Sequence, residues 1–268
     1  MLTCQLATYA IPAAGIDAAF AGTIKSELMD SGLVRITNFP ADPATYIAFL
    51  AKFGEPLCYY GDDKGTHPDN AAIWRIKYEP DGAANGEVHA LAGPLTPHSS
   101  QSLRSPRPPY FSMLMVDNGW QSRPDGENGE SLLVPWRDAI QLIKTRPDGA
   151  GTVSDLHADI PFPDGVSRSV VYELPTAKDP DDVGVRLKSD LLAYLQTTAP
   201  SHPGTLAVER LTEAAVQVAR RIRLASGDLL LLDNDRWGHG RESVVGFQSN
   251  PDGSMLLNPR ELWSVTVG

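Results

Sequence analysis

Apolar residues recur along this chain in two periods, and the switches between them mark out its elements. Ala18, Phe20, Ala21, Ile24 and Leu28 fall at helical spacing within residues 17 to 30, and Gly32 follows as a natural helix end. Residues 33 to 39 alternate in the period of a strand. Residues 43 to 53 predict a second helix, opened by Pro43 in its first turn and closed by Gly54. Residues 57 to 60 and 72 to 78 read as strands around a polar Gly/Asp loop. Residues 80 to 109, rich in Gly, Pro, Ser and Asn, read as a long loop, a feature that in a compact domain is functional or disordered. Residues 110 to 116 and 129 to 134 predict buried strands, and Pro135-Trp136 opens a helix that ends near Lys144. Residues 146 to 168 are again loop-like, 169 to 174 and 185 to 188 read as strands, 205 to 219 as a helix, and 222 to 224 and 261 to 267 as strands. Many short strands, with helices grouped toward the N-terminus, predict an α+β fold class with a jelly-roll-like core. One domain is expected over 1 to 268, with loop insertions at about 80–109 and 146–168.

One stretch delivers more chemistry than the rest. Gly227-Asp228 is turn-prone, Leu229 to Leu232 form an apolar run short enough for a buried strand, and Asp233, Asn234, His239 and Arg241 then follow within nine positions. A polar cluster fed by an apolar strand is what a rigid scaffold needs to hold a reactive group at a strand end or loop. Trp237, two residues before His239, reads as an aromatic in a polar turn that could wall a pocket, whereas Trp136 and Trp263 sit in apolar periodic context and are expected in the core. Asp233 and Asn234 can order the turn through hydrogen bonds to its backbone.

Composition narrows the function classes. A net charge of -10 and a pI near 5.0, with no basic run, argue against a nucleic-acid-binding surface. No apolar run approaches the roughly 20 residues a membrane span requires, and no basic segment introduces the Ala-rich N-terminus as a signal peptide. Cys4 and Cys58 are too few for a disulfide framework and lack metal-type spacing. A cytoplasmic protein acting on a small molecule, with neither nucleic acid nor membrane as partner, is the expectation. His67, His89 and His202 read as hydrogen-bonded structural histidines.

Five motifs in order carry a resemblance: His98-Ser-Ser100, Pro109-Tyr110-Phe-Ser-Met-Leu, Asn128-Gly-Glu-Ser131, Asp233-Asn-Asp-Arg-Trp-Gly-His-Gly-Arg241 and Arg260-Glu-Leu-Trp. Together, from about Gly32 to the C-terminus, they resemble the taurine dioxygenase and clavaminate synthase-like iron(II)/2-oxoglutarate oxygenases. The resemblance implies a double-stranded β-helix with iron at one mouth, Fe(II) and 2-oxoglutarate as cofactors, and molecular oxygen as co-reactant. It implies His98 and His239 as iron ligands, Arg260 as partner of the distal carboxylate of 2-oxoglutarate, and Ser131 where the family has a threonine that hydrogen-bonds the cosubstrate. Arg241 belongs to a His-x-Arg element and could support the iron ligands, meet the substrate, or form a surface ion pair.

One position departs from that pattern. The family places Asp or Glu two residues after its first histidine, where this chain has Ser100, and no carboxylate occurs between His98 and Val116. A serine hydroxyl is a poor iron ligand beside a carboxylate. Three explanations follow: an open iron position filled by water or an anion, chloride included, as in related halogenases with Gly or Ala there; His157-Ala-Asp159 as the His-x-Asp pair, out of the family's order; or a site that has lost iron and only binds. Oxidation of an unactivated C–H bond of a small polar molecule, such as an amino acid or derivative, is the primary expectation, with hydroxylation, desaturation or ring closure as outcomes and halogenation as the alternative.

Overall fold

Leu229 to Leu232 form the hinge of the architecture, because consecutive leucines of one strand face two different cores. Leu229 and Leu231 pack with the N-terminal helices, and Leu230 and Leu232 pack against the opposite sheet, as the two-residue period of a strand requires. The computed structural model describes residues 6–13, 15–58 and 63–268; Cys4, Tyr59 and Tyr60 lie outside the described residues.

In chain order the strands are β1 (Ala7–Ala10), β2 (Leu33–Thr37), β3 (Pro56–Leu57), β4 (Thr66–His67), β5 (Asn70–Lys77), β6 (Leu95–His98), β7 (Tyr110–Asp117), β8 (Ser131–Pro135), β9 (Ile160–Pro161), β10 (Ser167–Arg168), β11 (Val171–Glu173) and β12 (Val183–Val185). After them come β13 (Arg220–Ile222), β14 (Leu229–Asp233), β15 (Trp237–Arg241), β16 (Phe247–Ser249), β17 (Met255–Leu257) and β18 (Glu261–Val267). An eight-stranded sheet runs β1-β2-β14-β7-β18-β5-β4, with β3 on β18, and a four-stranded sheet runs β13-β8-β15-β6. The remaining strands form three two-stranded hairpins.

The helices are α1 (Ala18–Ser31), α2 (Pro43–Leu50), α3 (Pro80–Ala84), α4 (Trp136–Lys144), α5 (Gly149–His157), α6 (Leu191–Thr198) and α7 (Pro203–Val218). Asp17 caps α1 by accepting from the Phe20 amide, and Gly32 ends it at φ 73, a left-handed conformation that favours glycine. From α1 and α2, Ile24, Leu28, Tyr46 and Phe49 cover one face of the large sheet. Its other face joins the small sheet through Phe111, Met113, Leu133, Leu230 and Leu262. Behind the small sheet, Trp136, Ile140, Leu156, Leu191, Val208 and Leu211 unite α4 to α7. Each fully buried side chain of this kind contributes about 1.5–3 kcal/mol relative to exposure, so three contiguous cores supply the rigidity a site needs.

Several expectations are corrected. The helices do not gather at the N-terminus: four of them, α4 to α7, follow the first half of the chain. Part of the 146–168 stretch is helix α5, whose Gly149 and Gly151 lower its intrinsic propensity; burial of Leu156 against the other helices holds it. The 80–109 stretch contains α3, a 3-10 turn at Val88–Ala90 and strand β6. Trp237 lies in a strand, not a polar turn, and packs in the core between the sheets, its indole N–H donating to the Ser31 carbonyl at 3.2 Å. No helix among the described residues is long and apolar enough to cross a membrane.

Candidate active site

Strands β6 and β15 are antiparallel neighbours, and their register sets His98 directly opposite His239. The two rings lie 4.4 Å apart between centroids, tilted by 53°. His239 also stacks on Phe111 of the facing sheet at 4.2 Å. The pair therefore sits where the two sheets meet, fixed by backbone pairing on one side and aromatic packing on the other.

Each ring is prepared as a neutral ligand. His98 Nδ1 is 2.8 Å from the Thr96 carbonyl, which can only accept, so Nδ1 carries the proton and Nε2 keeps its lone pair. Burial holds its pKa down, with Lys188 adding to the effect and the Thr96 carbonyl and Asp190 opposing it. His239 is pushed well below the ordinary histidine value by burial first, then by His98 and Arg107. Its Nδ1 is buried without a hydrogen-bond partner.

Both histidines line a cavity of about 330 Å³. Ser100, Gln101, Ser131, Arg241 and Arg260 line it too, with Trp74, Ile76, Leu95, Phe111, Met113 and Leu262 as an apolar wall. Lys188 and Asp190, paired with each other, are also in the lining. Six residues singled out by sequence thus converge on one space: His98, Ser100, Ser131, His239, Arg241 and Arg260.

The two guanidiniums define one end of it. Arg260 is 4% exposed and donates to the Gly129 carbonyl at 2.9 Å; Gly129 has φ 69, and a Cβ there would fall 2.7 Å from Arg260 Nε. Arg241, equally buried and opposite Ser131 on β8, donates to the carbonyls of Leu91 at 2.6 Å and Gly93 at 2.5 Å. Among the described residues neither arginine makes an ion pair. Burial lowers the Arg241 pKa to about 10, and burial with repulsion from Arg241 lowers Arg260 to about 9, against a pull from Glu130. Both remain cationic at neutral pH. Two buried cations without an ion-pair partner among the described residues, lining one cavity, fit an anion, since a bound carboxylate offsets the cost of their desolvation.

Ser100 is held through its backbone. Asn234, fully buried at the end of β14, accepts from the Ser100 amide at 3.0 Å and donates to the carbonyls of Ser100 and Pro108, each at 3.0 Å. Ser99 Oγ donates to the Val185 carbonyl at 2.8 Å and Ser102 Oγ to the Ser99 carbonyl at 2.7 Å. This turn includes Gln101 at φ 52, buried, with Oε1 unpartnered, an energetically costly arrangement of the kind that collects at functional sites. Sequence reasoning saw Asn234 only as a turn residue and passed over Gln101; no local pattern announces either role.

His157 and Asp159 are not part of the cavity. His157 is the last residue of α5, and both side chains are exposed, because that helix turns Leu156 inward and its C-terminal end outward. His89, expected to be structural, is buried edge-on to Trp74 at 5.5 Å and also lines the cavity. His202 caps α7 and His67 packs on Trp263, structural positions both. Trp136 and Trp263 are core residues.

The donor set fits a divalent metal in part. Two neutral imidazoles on paired strands suit Fe(II), yet among the described residues no three His, Cys, Asp or Glu side chains are grouped to hold a metal. The metal's remaining positions would have to be filled from outside the chain.

No protein-family profile and no curated protein matches this sequence. Solved structures do. Asparagine oxygenase (AsnO) aligns with a TM-score of 0.69 at 19% identity, covering 94% of this chain and 78% of that one. The same enzyme in complex with Fe(II), 2S,3S-3-hydroxyasparagine and succinate aligns at 0.63 and 18%, covering 94% and 79%. The non-heme iron oxygenase OrfP, in complex with Fe and alpha-ketoglutaric acid, aligns at 0.62 and 16%, covering 98% of this chain and 94% of that one. Over nearly its whole length, the chain has the fold of these non-heme iron oxygenases.

Proposed function

We propose that the protein is an iron(II)/2-oxoglutarate-dependent oxygenase, built on a double-stranded β-helix, that oxidises an unactivated C–H bond of a small polar molecule of the amino-acid class. One observation carries the reading: a facing pair of neutral histidines shares a cavity with two buried guanidiniums that, among the described residues, make no ion pair. When bound, Fe(II), 2-oxoglutarate and oxygen supply the oxidising chemistry through oxidative decarboxylation of the cosubstrate.

The chain's own residues do the rest. His98 and His239 hold the metal, His98 through the nitrogen that its bond to Thr96 leaves free. Arg260 takes the distal carboxylate of 2-oxoglutarate, a contact that rewards a planar two-pronged cation, and the Ser131 hydroxyl donates beside it. The apolar wall excludes water and orients the C–H bond. The substrate class rests on the fold neighbours, one of whose structures contains hydroxyasparagine.

Ser100 supplies no charge. Two neutral imidazoles and a doubly charged 2-oxoglutarate balance Fe(II), so the site works without the carboxylate, with a water beside Ser100. A second reading, halogenation with chloride in that position, rests on the small size of Ser100; the small chamber of about 40 Å³ that adjoins Ser100 is lined mostly by Leu57, Ala72, Trp74 and Phe111 and by neither histidine, so it lends chloride no support. Anaerobic titration with Fe(II) and 2-oxoglutarate tests the proposal: the visible charge-transfer band of a chelated keto acid is expected. Its absence in the wild type overturns the reading in favour of a non-catalytic small-molecule binder on the same scaffold.

A further inference from the structure

Residues 88 to 93 carry Val88 and His89, both in the cavity lining, yet form no strand. Their backbone is tied down from outside. The carbonyls of Ala90 and Ala92 accept from the amides of Glu79 and Val244, at 3.3 and 2.9 Å. The carbonyls of Leu91 and Gly93 both accept from Nη2 of Arg241, at 2.6 and 2.5 Å. One side chain thus supplies two of the four fastenings, and it belongs to the strand that carries His239. Arg241 is 4% exposed, makes no ion pair among the described residues, and repels Arg260 across the cosubstrate end of the cavity.

We infer that Arg241 is a positioning residue that latches the 88–93 segment over the cavity, and that an anion bound between Arg241 and Arg260 strengthens the latch. The inference rests on the 2-oxoglutarate reading. Its sign follows from the charges. Opening the segment lets water reach Arg241, which relieves both its desolvation and its repulsion from Arg260. A dianion beside the two guanidiniums removes most of that advantage, so occupancy of the cosubstrate end favours the closed segment. The wall that meets substrate is then firm only once cosubstrate is in place, and by linkage the open segment binds 2-oxoglutarate more weakly by the factor by which 2-oxoglutarate suppresses opening. Replacing Arg241 by Lys keeps the charge, but one ammonium on a flexible stem lacks the guanidinium's rigid fork for holding two carbonyls.

Amide hydrogen exchange of residues 88 to 95 in the full chain, under anaerobic Fe(II) with and without saturating 2-oxoglutarate, tests this. The keto-acid band reports binding independently. In the wild type, 2-oxoglutarate is expected to slow exchange of these amides by roughly fivefold or more, a coupling of ordinary allosteric size. In R241K the band should persist at higher 2-oxoglutarate while the protection is lost; R241A, if it folds, should show the same segment exchanging fast with or without ligand. A band in the wild type with no change in exchange overturns the latch and leaves the cosubstrate reading standing, as does R241K with wild-type protection. Absence of any band in the wild type overturns the cosubstrate reading and the coupling with it.

Discussion

His98 and His239 are direct cross-strand partners: β6 and β15 place one opposite the other, rings 4.4 Å apart between centroids. Residues far apart in sequence become neighbours through main-chain pairing, which no side-chain change nearby can easily undo. Substitution of either by alanine should therefore remove the metal site and leave the sheet. The keto-acid band is expected to vanish in H98A and H239A, while circular dichroism keeps its native shape. D159A, on an exposed position beyond α5, should give the full wild-type band; loss of the band there would return the His157–Asp159 pair to consideration.

Arg260 lines the cavity, is buried, and makes no ion pair among the described residues. Removing one member of the ion pair it forms with cosubstrate strands the other, a loss of roughly 3–5 kcal/mol. R260A should accordingly raise the 2-oxoglutarate concentration needed for the band by about two orders of magnitude or more. An R260A protein that titrates like the wild type would show that the distal carboxylate lies elsewhere.

Ser100 lines both the main cavity and the small chamber beside it. That chamber adjoins Ser100, where an aspartate adds two heavy atoms, so S100D should fold and bind Fe(II) more tightly, by roughly tenfold or about 1.4 kcal/mol, in competition with a chelator. Abolished iron binding would mean that position 100 does not face the metal. Turnover in chloride, bromide and halide-free buffer separates the outcomes: oxidation independent of halide is expected, and a halogenated product overturns that preference.

Asn234 is fully buried and makes three hydrogen bonds to the backbone at Ser100 and Pro108. N234A leaves those groups unpaired, at a cost of roughly 2–4 kcal/mol. Urea denaturation should show the midpoint falling by a corresponding amount, with iron affinity falling too because His98 lies two residues from the freed turn. An unchanged midpoint would contradict the role assigned to Asn234.

The two histidines also set a pH dependence. Both are held below their unfolded value by burial, so the unfolded chain takes up protons that the native apo protein resists. Stability is full above the unfolded histidine pKa of about 6.5 and declines as pH falls below it. The urea midpoint of the metal-free protein should drop between pH 7.5 and pH 5.5, and H239F should flatten that drop. A midpoint that stays level, or rises, would mean the pair is not buried neutral.

What the sequence determined by itself is what short-range periodicity can encode. The 3.6-residue spacing from Ala18 to Leu28 with Asp17 and Gly32 at its ends, the leucine strand at 229 to 232 and the closing strand at 261 to 267 all form as their patterns predict. The order of the motifs also told which fold to expect, and the structural neighbours share that fold. Tertiary structure decided the rest, because burial and strand register depend on residues distant in the chain. It made α5 from a Gly-containing stretch and α6 from a stretch that carries no expectation, both through packing on α7. It moved Trp237 from a supposed pocket wall into the core and brought His89, packed on Trp74, to the cavity lining. Arg241 shows the division best. Its sequence neighbourhood permits an iron support, a substrate contact or a surface ion pair, and only the return of residues 91 to 93 to β15 gives it two carbonyls to hold.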